Sequence, residues 1–549
     1  MSRLFYFQKN LILFFPRSRL INQYFCEINN YILFRYPLKP TTFAAPTLPI
    51  KLSCMKKHLL YLFLCCMLNG TVMAQLKLYG ENYRPQFHFT PERNWMNDPN
   101  GLVFYKGQYH LFYQYNPFAN VWGHMSWGHA VSKDLIHWKQ LPVALEEENG
   151  IMIFSGSAVV DTKNSSGLGS IQNPPLVAIY TGSTDTLQTQ NLAYSTDNGL
   201  QWTKYKSNPV LNENKKDFRD PNVFWYAPEK KWIMSLSYPT THQIAFYSSV
   251  NLRDWKQVGI FGPAGDTTGV WECPDLMRVP IYDQPGSYKW VLLTSQNATM
   301  QYFVGNFDGK NFTSETPNGT TLKPDYGTDY YAAIAYHSNP IGKPVSIGWV
   351  NNWNYANQIP TYPWKGAASL PRTLQLKKIN DVWQLIQQPV AALATLRKQP
   401  VIYSNKKINK TTELLPFKGN VWESEIIMQP AATGETGLQL AVGNGLALNI
   451  SYNAAAKQIV INRNNTPDYF SAAFAARPTS IAPVRLLNNE LKLQVFFDKS
   501  IVEVFVNNGE QVLTVQVFPA EENNGVALYS TGENAIFKRV TFWPMKSIW

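Results

Sequence analysis

Little in this sequence points to redox, metal or nucleotide chemistry. Its 549 residues hold five cysteines, and four of them (Cys26, Cys54, Cys65 and Cys66) lie before residue 67. Only Cys273 remains beyond that point, so the long C-terminal part has no partner for an internal disulfide and relies on core packing. The eight histidines show no His-x-x-x-His pair, and no glycine-rich phosphate loop follows a strand. Neither a metal nor a cofactor is expected. Charge is sparse, with Asp, Glu, Lys and Arg at 16%, and most of the formal +12 sits in the first 74 residues. That distribution removes most of the support for a nucleic-acid partner.

Long apolar runs are missing too. The run from Leu59 to Leu68 is too short to span a membrane. It follows Met55-Lys56-Lys57 and precedes Val72-Met73-Ala74, the three parts of a secretory signal peptide over 55–74 with cleavage before Gln75. The expectation is an exported protein, secreted, periplasmic or on the cell surface, with no membrane span in the mature chain. Residues 1–54 are basic and aromatic-rich without turn logic, and read as an upstream extension ahead of a start at Met55.

What is present is aromatic, at 14% of residues, and arranged in short β-branched runs separated by Gly, Pro, Asn and Asp, with no long segment of helical period. The fold class is all-β. One turn recurs: Ser132-Lys133-Asp134-Leu135-Ile136-His137-Trp138, Ser195 to Trp202, Ser249 to Trp255, and a degenerate copy from Gly305 to Phe312. Its aromatic ends are spaced by 64, 53 and 57 residues, about one four-stranded sheet each. Repetition at that period predicts propeller blades; the alternative is a β-sandwich whose hairpins look alike by coincidence. In a propeller the innermost strands line one axis, where residues distant in sequence converge.

Three carboxylates stand in proline-stiffened settings. Trp95-Met96-Asn97-Asp98-Pro99-Asn100-Gly101 holds Asp98 between two Asn side chains, a firm mount for a nucleophile and equally an Asx-type turn. Phe218-Arg219-Asp220-Pro221 and Trp271-Glu272-Cys273-Pro274-Asp275 follow; singly, each reads as readily as a surface pair or a solvated turn.

Together, Asn-Asp-Pro-Asn-Gly, Arg-Asp-Pro and Glu-Cys-Pro in this order resemble glycoside hydrolase family 32, the β-fructofuranosidases that include invertases, inulinases and levanases. The resemblance also rests on Tyr113-Gln114-Tyr115-Asn116-Pro117, Phe154-Ser155-Gly156-Ser157, Asp325-Tyr326-Gly327-Thr328-Asp329-Tyr330-Tyr331-Ala332, and Trp349-Val350-Asn351-Asn352-Trp353 running into Leu370-Pro371-Arg372. It implies a five-bladed β-propeller followed by a β-sandwich, and a retaining mechanism with Asp98 as nucleophile, Glu272 as general acid/base and Asp220 as transition-state stabiliser. Trp271 and Cys273 would favour the neutral form of Glu272 by desolvation. Cys273 would be a wall residue beside the acid. By the same resemblance Trp95, Asn97, Gln114, Trp122, Phe154, Ser155, Arg219 and Trp353 are the substrate-binding candidates, offering hydroxyl partners and an aromatic face for a sugar.

The expected domains are a propeller over 84–385, a linker over 386–410 with a helix near Pro389 to Lys398, and a sandwich over 411–549. In the last, Leu491 to Phe497 and Ile501 to Val506 alternate, and Asn507-Asn508-Gly509 makes a hairpin turn. The sandwich reads as a packing partner rather than a carbohydrate-binding module. The substrate is a fructan (levan or inulin) or sucrose, cut from the chain end, since Ile153 to Asp161 and Asn352 to Asn357 look more like exo-inulinases and levanases than plant invertases. A fructosyltransferase, and a non-hydrolytic fructan-binding protein, are the alternatives. Nothing in the sequence fixes an oligomeric state.

Overall fold

The computed structural model describes residues 78–549, so the expected extension (1–54) and signal peptide (55–74) lie outside the described residues. Five antiparallel sheets follow one another along the chain: Asn94 to Leu145, Met152 to Lys215, Arg219–Phe261, Glu272–Ser314, and Tyr331–Pro389. In each, the first strand in sequence is the innermost. They are the five blades of the propeller. The ring is closed by Trp364–Lys365, a two-residue strand that leaves the fifth blade and pairs in parallel with Asn94 and Trp95 of the first.

The recurring turn joins the third strand to the fourth in four blades. Its logic is the same each time: one side-chain oxygen accepts from two successive backbone N–H groups. Asp134 Oδ1 takes those of Ile136 and His137, Asp197 Oδ1 those of Leu200 and Gln201, Asn251 Oδ1 those of Arg253 and Asp254, and Asp308 Oδ1 those of Lys310 and Asn311, at 2.7–3.1 Å. An Asx turn of this kind lets a blade reverse without φ/ψ demands on its flanking strands.

Two six-stranded sheets form the sandwich. One runs Val401–Ile408, Ala535–Pro544, Val421–Gln429, Leu491–Asp498, Ile501–Val506, Gln511–Gln516, and the other Thr411–Lys418, Gly525–Ser530, Glu435–Gly443, Leu446–Asn453, Gln458–Asn462, Thr479–Pro483. Alternate residues of both, among them Trp422, Leu438, Val495, Val504 and Phe542, meet in one core. Asn507, Asn508 and Gly509 all take positive φ in the expected hairpin turn.

About half of the expected linker is ordered strand. Val382–Pro389 completes the fifth blade and Val401–Ile408 is already a sandwich strand, leaving 390–400 between them. The helix there is a six-residue 3-10 segment, Ala391–Leu396. Val401–Ile408 is an edge strand, largely exposed and carrying Lys406 and Lys407, so it lacks the alternation that marked its neighbours.

The two domains share buried charge. Arg372, on the fifth blade, donates to Asp325 Oδ2 and to Glu503 Oε2 of the sandwich, each at 2.8 Å, and Thr514 donates to Asp325 through both its N–H and its hydroxyl. Gly327 lies so close to the sandwich that a Cβ would stand 1.9 Å from the Thr514 carbonyl oxygen. At the other end of the seam, Asp498 accepts the backbone N–H groups of Gln86, Phe87 and His88 and the ring of His88, whose second nitrogen reaches Glu503 at 3.3 Å. The motifs Asp325 to Ala332 and Leu370-Pro371-Arg372 are therefore largely domain-joining elements.

Burial lowers the His88 pKa, but hydrogen bonds and charge from Asp498 and Glu503 outweigh it and hold the ring up at about 9. A cation whose pKa is raised above its unfolded 6.5 stabilises fully below that pH and loses its contribution as pH rises through about 9. Stability should therefore fall by about 3 kcal/mol across this window, and His88→Gln should flatten that fall in thermal melts taken from pH 6 to 10.

Candidate active site

Each innermost strand breaks its pairing register near its start. The breaks lie between Met96 and Pro99, Ile153 and Gly156, Arg219 and Asn222, Glu272 and Asp275, and Tyr331 and Ile334, one per blade at equivalent places. A β-bulge re-aims the side chains it contains, and these five contain Asn97, Asp98, Phe154, Ser155, Asp220 and Cys273, with Glu272 and Tyr331 at their edges. In the third, fourth and fifth blades the first bulged residue is left-handed: Asp220 at φ +65°, Cys273 at +48° and Ala332 at +53°. Such values are costly for residues with a Cβ and persist where surrounding packing imposes them. Trp95 to Gly101 is thus strand with two register breaks rather than a terminal turn. Gly101, at φ +54°, occupies the second, where a Cβ would come within 2.6 Å of the Phe112 ring.

Asp98, Asp220 and Glu272 come together at this end of the axis. Asp98 Oδ1 accepts from Asn97 Nδ2 at 3.0 Å and Oδ2 from Ser155 Oγ at 2.8 Å. Asp220 Oδ2 accepts the Cys273 N–H at 3.0 Å. The Cys273 thiol lies 3.6 Å from Asp98 Oδ2 and 3.7 Å from Asp220 Oδ2, bridging the two carboxylates. Glu272 Oε1 accepts from Arg219 Nε and Nη2 at 3.1 and 3.0 Å, and Oε2 accepts the Tyr331 hydroxyl at 2.6 Å. The polar surroundings of Glu272 differ from the apolar pocket expected, because Trp271 turns away into a core with Phe303 and donates its indole N–H to the Asp266 carbonyl. Among the described residues no group of three or more His, Cys, Asp and Glu is arranged to hold a metal.

Burial dominates the electrostatics. It raises the Asp98 pKa, against hydrogen bonds from Asn97 and Ser155 and with the Glu272 charge adding to the rise. Burial also pushes Asp220 up to about 7; the Arg219 charge opposes, and the charges of Glu272 and Asp98 reinforce. The Cys273 thiol is driven well up by burial and by the three carboxylates, so it stays protonated, a donor and not a nucleophile. Burial and the neighbouring negative charges thus oppose ionisation of Asp98 and Asp220, while the hydrogen bonds from Asn97, Ser155 and the Cys273 N–H favour it.

The other candidates divide by exposure. Trp122 and Trp353 stand at the rim, 40% and 38% exposed, with half-buried Phe154 beside Trp122 at 6.2 Å. Trp353 stacks at a tilt on Trp349 and Trp95. Trp95 itself is fully buried, and its indole N–H holds Asn97 Oδ1 at 2.7 Å, so it supports the site from beneath. Gln114 is buried and donates to the Ile153 carbonyl. Arg219 bridges Glu272 and Asp217.

The matching families cover nearly all of the described chain. Residues 88–389 match the N-terminal domain of glycosyl hydrolases family 32, and residues 392–544 match its C-terminal domain. The chain belongs to glycosyl hydrolase family 32. A levanase of Bacillus subtilis (strain 168) is 42% identical over 516 residues, 90% of this chain and 76% of that protein. An extracellular exo-inulinase of Aspergillus awamori is 39% identical, over 86% of this chain and 96% of the relative. The crystal structure of exo-inulinase from Aspergillus awamori superposes with a TM-score of 0.80 at 36% identity, covering 86% of this chain and all of the other.

In this family 32 chain the sequence reading missed Tyr331 as a site residue, although it lies in a motif already singled out; a Tyr next to an expected bulge was the available signal. Asp217 and Thr181, which donates no charge but accepts the Asp220 N–H at 3.0 Å, had none. A cavity of about 620 Å³ opens at the opposite ends of the innermost strands, among Phe224, Trp225, Trp232 and His337, away from the three carboxylates.

A carboxyl raised from 3.8 to about 7 gives stability present below about pH 4 and lost as pH rises through 7. Asp220→Asn should therefore melt above the wild type at pH 7.5, with the gap closing toward pH 4. Equal melting temperatures at both pH values would contradict the assigned environment.

Proposed function

We propose that this protein is an exported glycosidase that removes terminal β-D-fructose from fructans, and fructose from sucrose, by double displacement with retention. The observation that carries the reading is the convergence of Asp98 and Asp220, from the first and third blades, on Cys273 of the fourth, next to Glu272. Family membership supports the reaction class, and the levanase and exo-inulinase relatives support fructan as substrate. Export rests on the signal-peptide pattern before Gln75 and on the extracellular exo-inulinase relative; among the described residues no helix is long and apolar enough to cross a membrane.

In this reading Asp98 attacks the anomeric carbon of the fructosyl unit, aimed by Asn97 and Ser155. Glu272 protonates the leaving oxygen and then, as base, activates the water that releases fructose. Arg219 and Tyr331 hold the Glu272 carboxyl in place. Asp220, fixed through its acceptance of the Cys273 N–H, binds sugar hydroxyls where positive charge develops. Trp122 and Trp353 offer apolar faces to the sugar, and their placement at the rim fits a site that accepts a chain end.

Chromatography of early products from inulin and levan tests the reading: fructose alone supports it, and a ladder of oligosaccharides overturns release from the end. Glu272→Ala should slow sucrose hydrolysis roughly 10²- to 10⁴-fold and slow an activated aryl fructoside far less, because a good leaving group needs no proton. Equal losses on both would reassign the acid.

A further inference from the structure

Arg463 belongs to the sandwich and touches none of the carboxylates, yet it sits at the base of two segments that shape the site. Its side chain is buried. Nη1 donates to Asp329 Oδ2 at 2.9 Å and to the Gln516 carbonyl at 3.0 Å, Nη2 to the Tyr355 hydroxyl at 3.0 Å, and Nε to the Arg477 carbonyl at 3.1 Å. The guanidinium also lies 3.7 Å above the Phe474 ring, so its plane is fixed. Tyr355 completes the triangle by donating to Asp329 Oδ1 at 2.5 Å.

Both partners lead to the catalytic end within two residues. Asp329 precedes Tyr331, whose hydroxyl holds Glu272. Tyr355 follows Trp353, and the loop between 351 and 358 is pinned to the Asp329 segment by Asn352 Nδ2 donating to the Thr328 carbonyl at 2.6 Å. The same loop reaches the residue of the other rim aromatic, since Asn357 Oδ1 accepts the backbone N–H of Trp122 at 3.2 Å. Trp353 is partly exposed and its backbone has no sheet partner, so its place is set by stacking on Trp349 and Trp95, by the Asn352 contacts to Thr328 and Asn354, and by the Tyr355 anchor that follows it.

We propose that Arg463 is a positioning residue contributed by the second domain: through Tyr355 and Asp329 it sets where Trp353, and with it the sugar-binding rim, stands relative to Glu272. The inference rests on the proposed function and extends it by assigning the sandwich a part in substrate binding that needs no sugar contact of its own. A guanidinium is required, because one planar fork serves Asp329 and Tyr355 at once, and an ammonium is a single point charge.

Tyr355→Phe removes one hydroxyl and leaves the Arg463–Asp329 pair intact, so the protein keeps its buried charges matched. The full chain carrying it loses the hydroxyl's two charge-linked hydrogen bonds, to Arg463 and Asp329, and should show KM for sucrose raised about three- to tenfold, with kcat within about twofold. In a Trp353→Ala background the same substitution should add nothing further, since the path runs through Trp353. Arg463→Lys should reproduce the KM effect. Val504→Ala, in the sandwich core, should lower the melting temperature and leave KM unchanged. An unaltered KM in Tyr355→Phe, or an equal rise with and without Trp353, overturns the positioning role. Because every comparison is between variants of a protein that turns over sucrose, such a result counts against this inference and leaves the proposed function standing.

Discussion

The site exists because five strands each lose register at the same height. A regular antiparallel strand sends alternate side chains to its two faces, and in a propeller that would point Asp98, Asp220 and Glu272 at the neighbouring blades instead of into the axis. Inserting an extra residue in each strand turns these side chains toward the axis and leaves backbone N–H groups, such as that of Cys273, facing carboxylates. The left-handed residues Asp220, Cys273 and Ala332 carry the strain of this arrangement. The blades themselves, tied by hydrogen-bonded Asx turns on the outside, are regular enough to hold that strain.

Buried charge is the second constraint, and it is used differently at the domain seam and at the site. At the domain seam, Arg372 faces Asp325 and Glu503, and His88 faces Asp498 and Glu503, so every one of these three buried carboxylates touches at least one of the two cations. At the site three carboxylates stand near one guanidinium, Arg219, and burial, reinforced by the charge of Glu272, raises the pKa values of Asp98 and Asp220. A surplus of negative charge in a dry pocket is unfavourable to the folded chain and favourable to a transition state that develops positive charge.

Much of this was legible. The turn from Ser132 to Trp138 and its copies announced the blade period because its side-chain hydrogen bonds demand particular residues, and the proline-flanked carboxylates stood out because bulges need stiff neighbours. The edge strand Val401–Ile408 was not legible, since exposure on both faces erases alternation. Nor was the supporting position of Trp95: a Trp in a site motif looks the same whether its ring meets sugar or Asn97. The partners of Glu272 were misjudged for a related reason. Neighbours in sequence, Trp271 and Cys273, predict surroundings only while a strand alternates regularly, and Glu272 lies where it does not.

The seam also has an order in time. Gln86, Phe87 and His88 are held by Asp498, more than four hundred residues later, and the first blade gains its closing strand only from Trp364–Lys365. During synthesis the strand bearing Asp98 is made early and completed late, and the entropy of closing so long a loop makes this pairing slow. A chain built this way reaches its working form only after its last strands arrive, so being kept unfolded until it is complete costs it nothing.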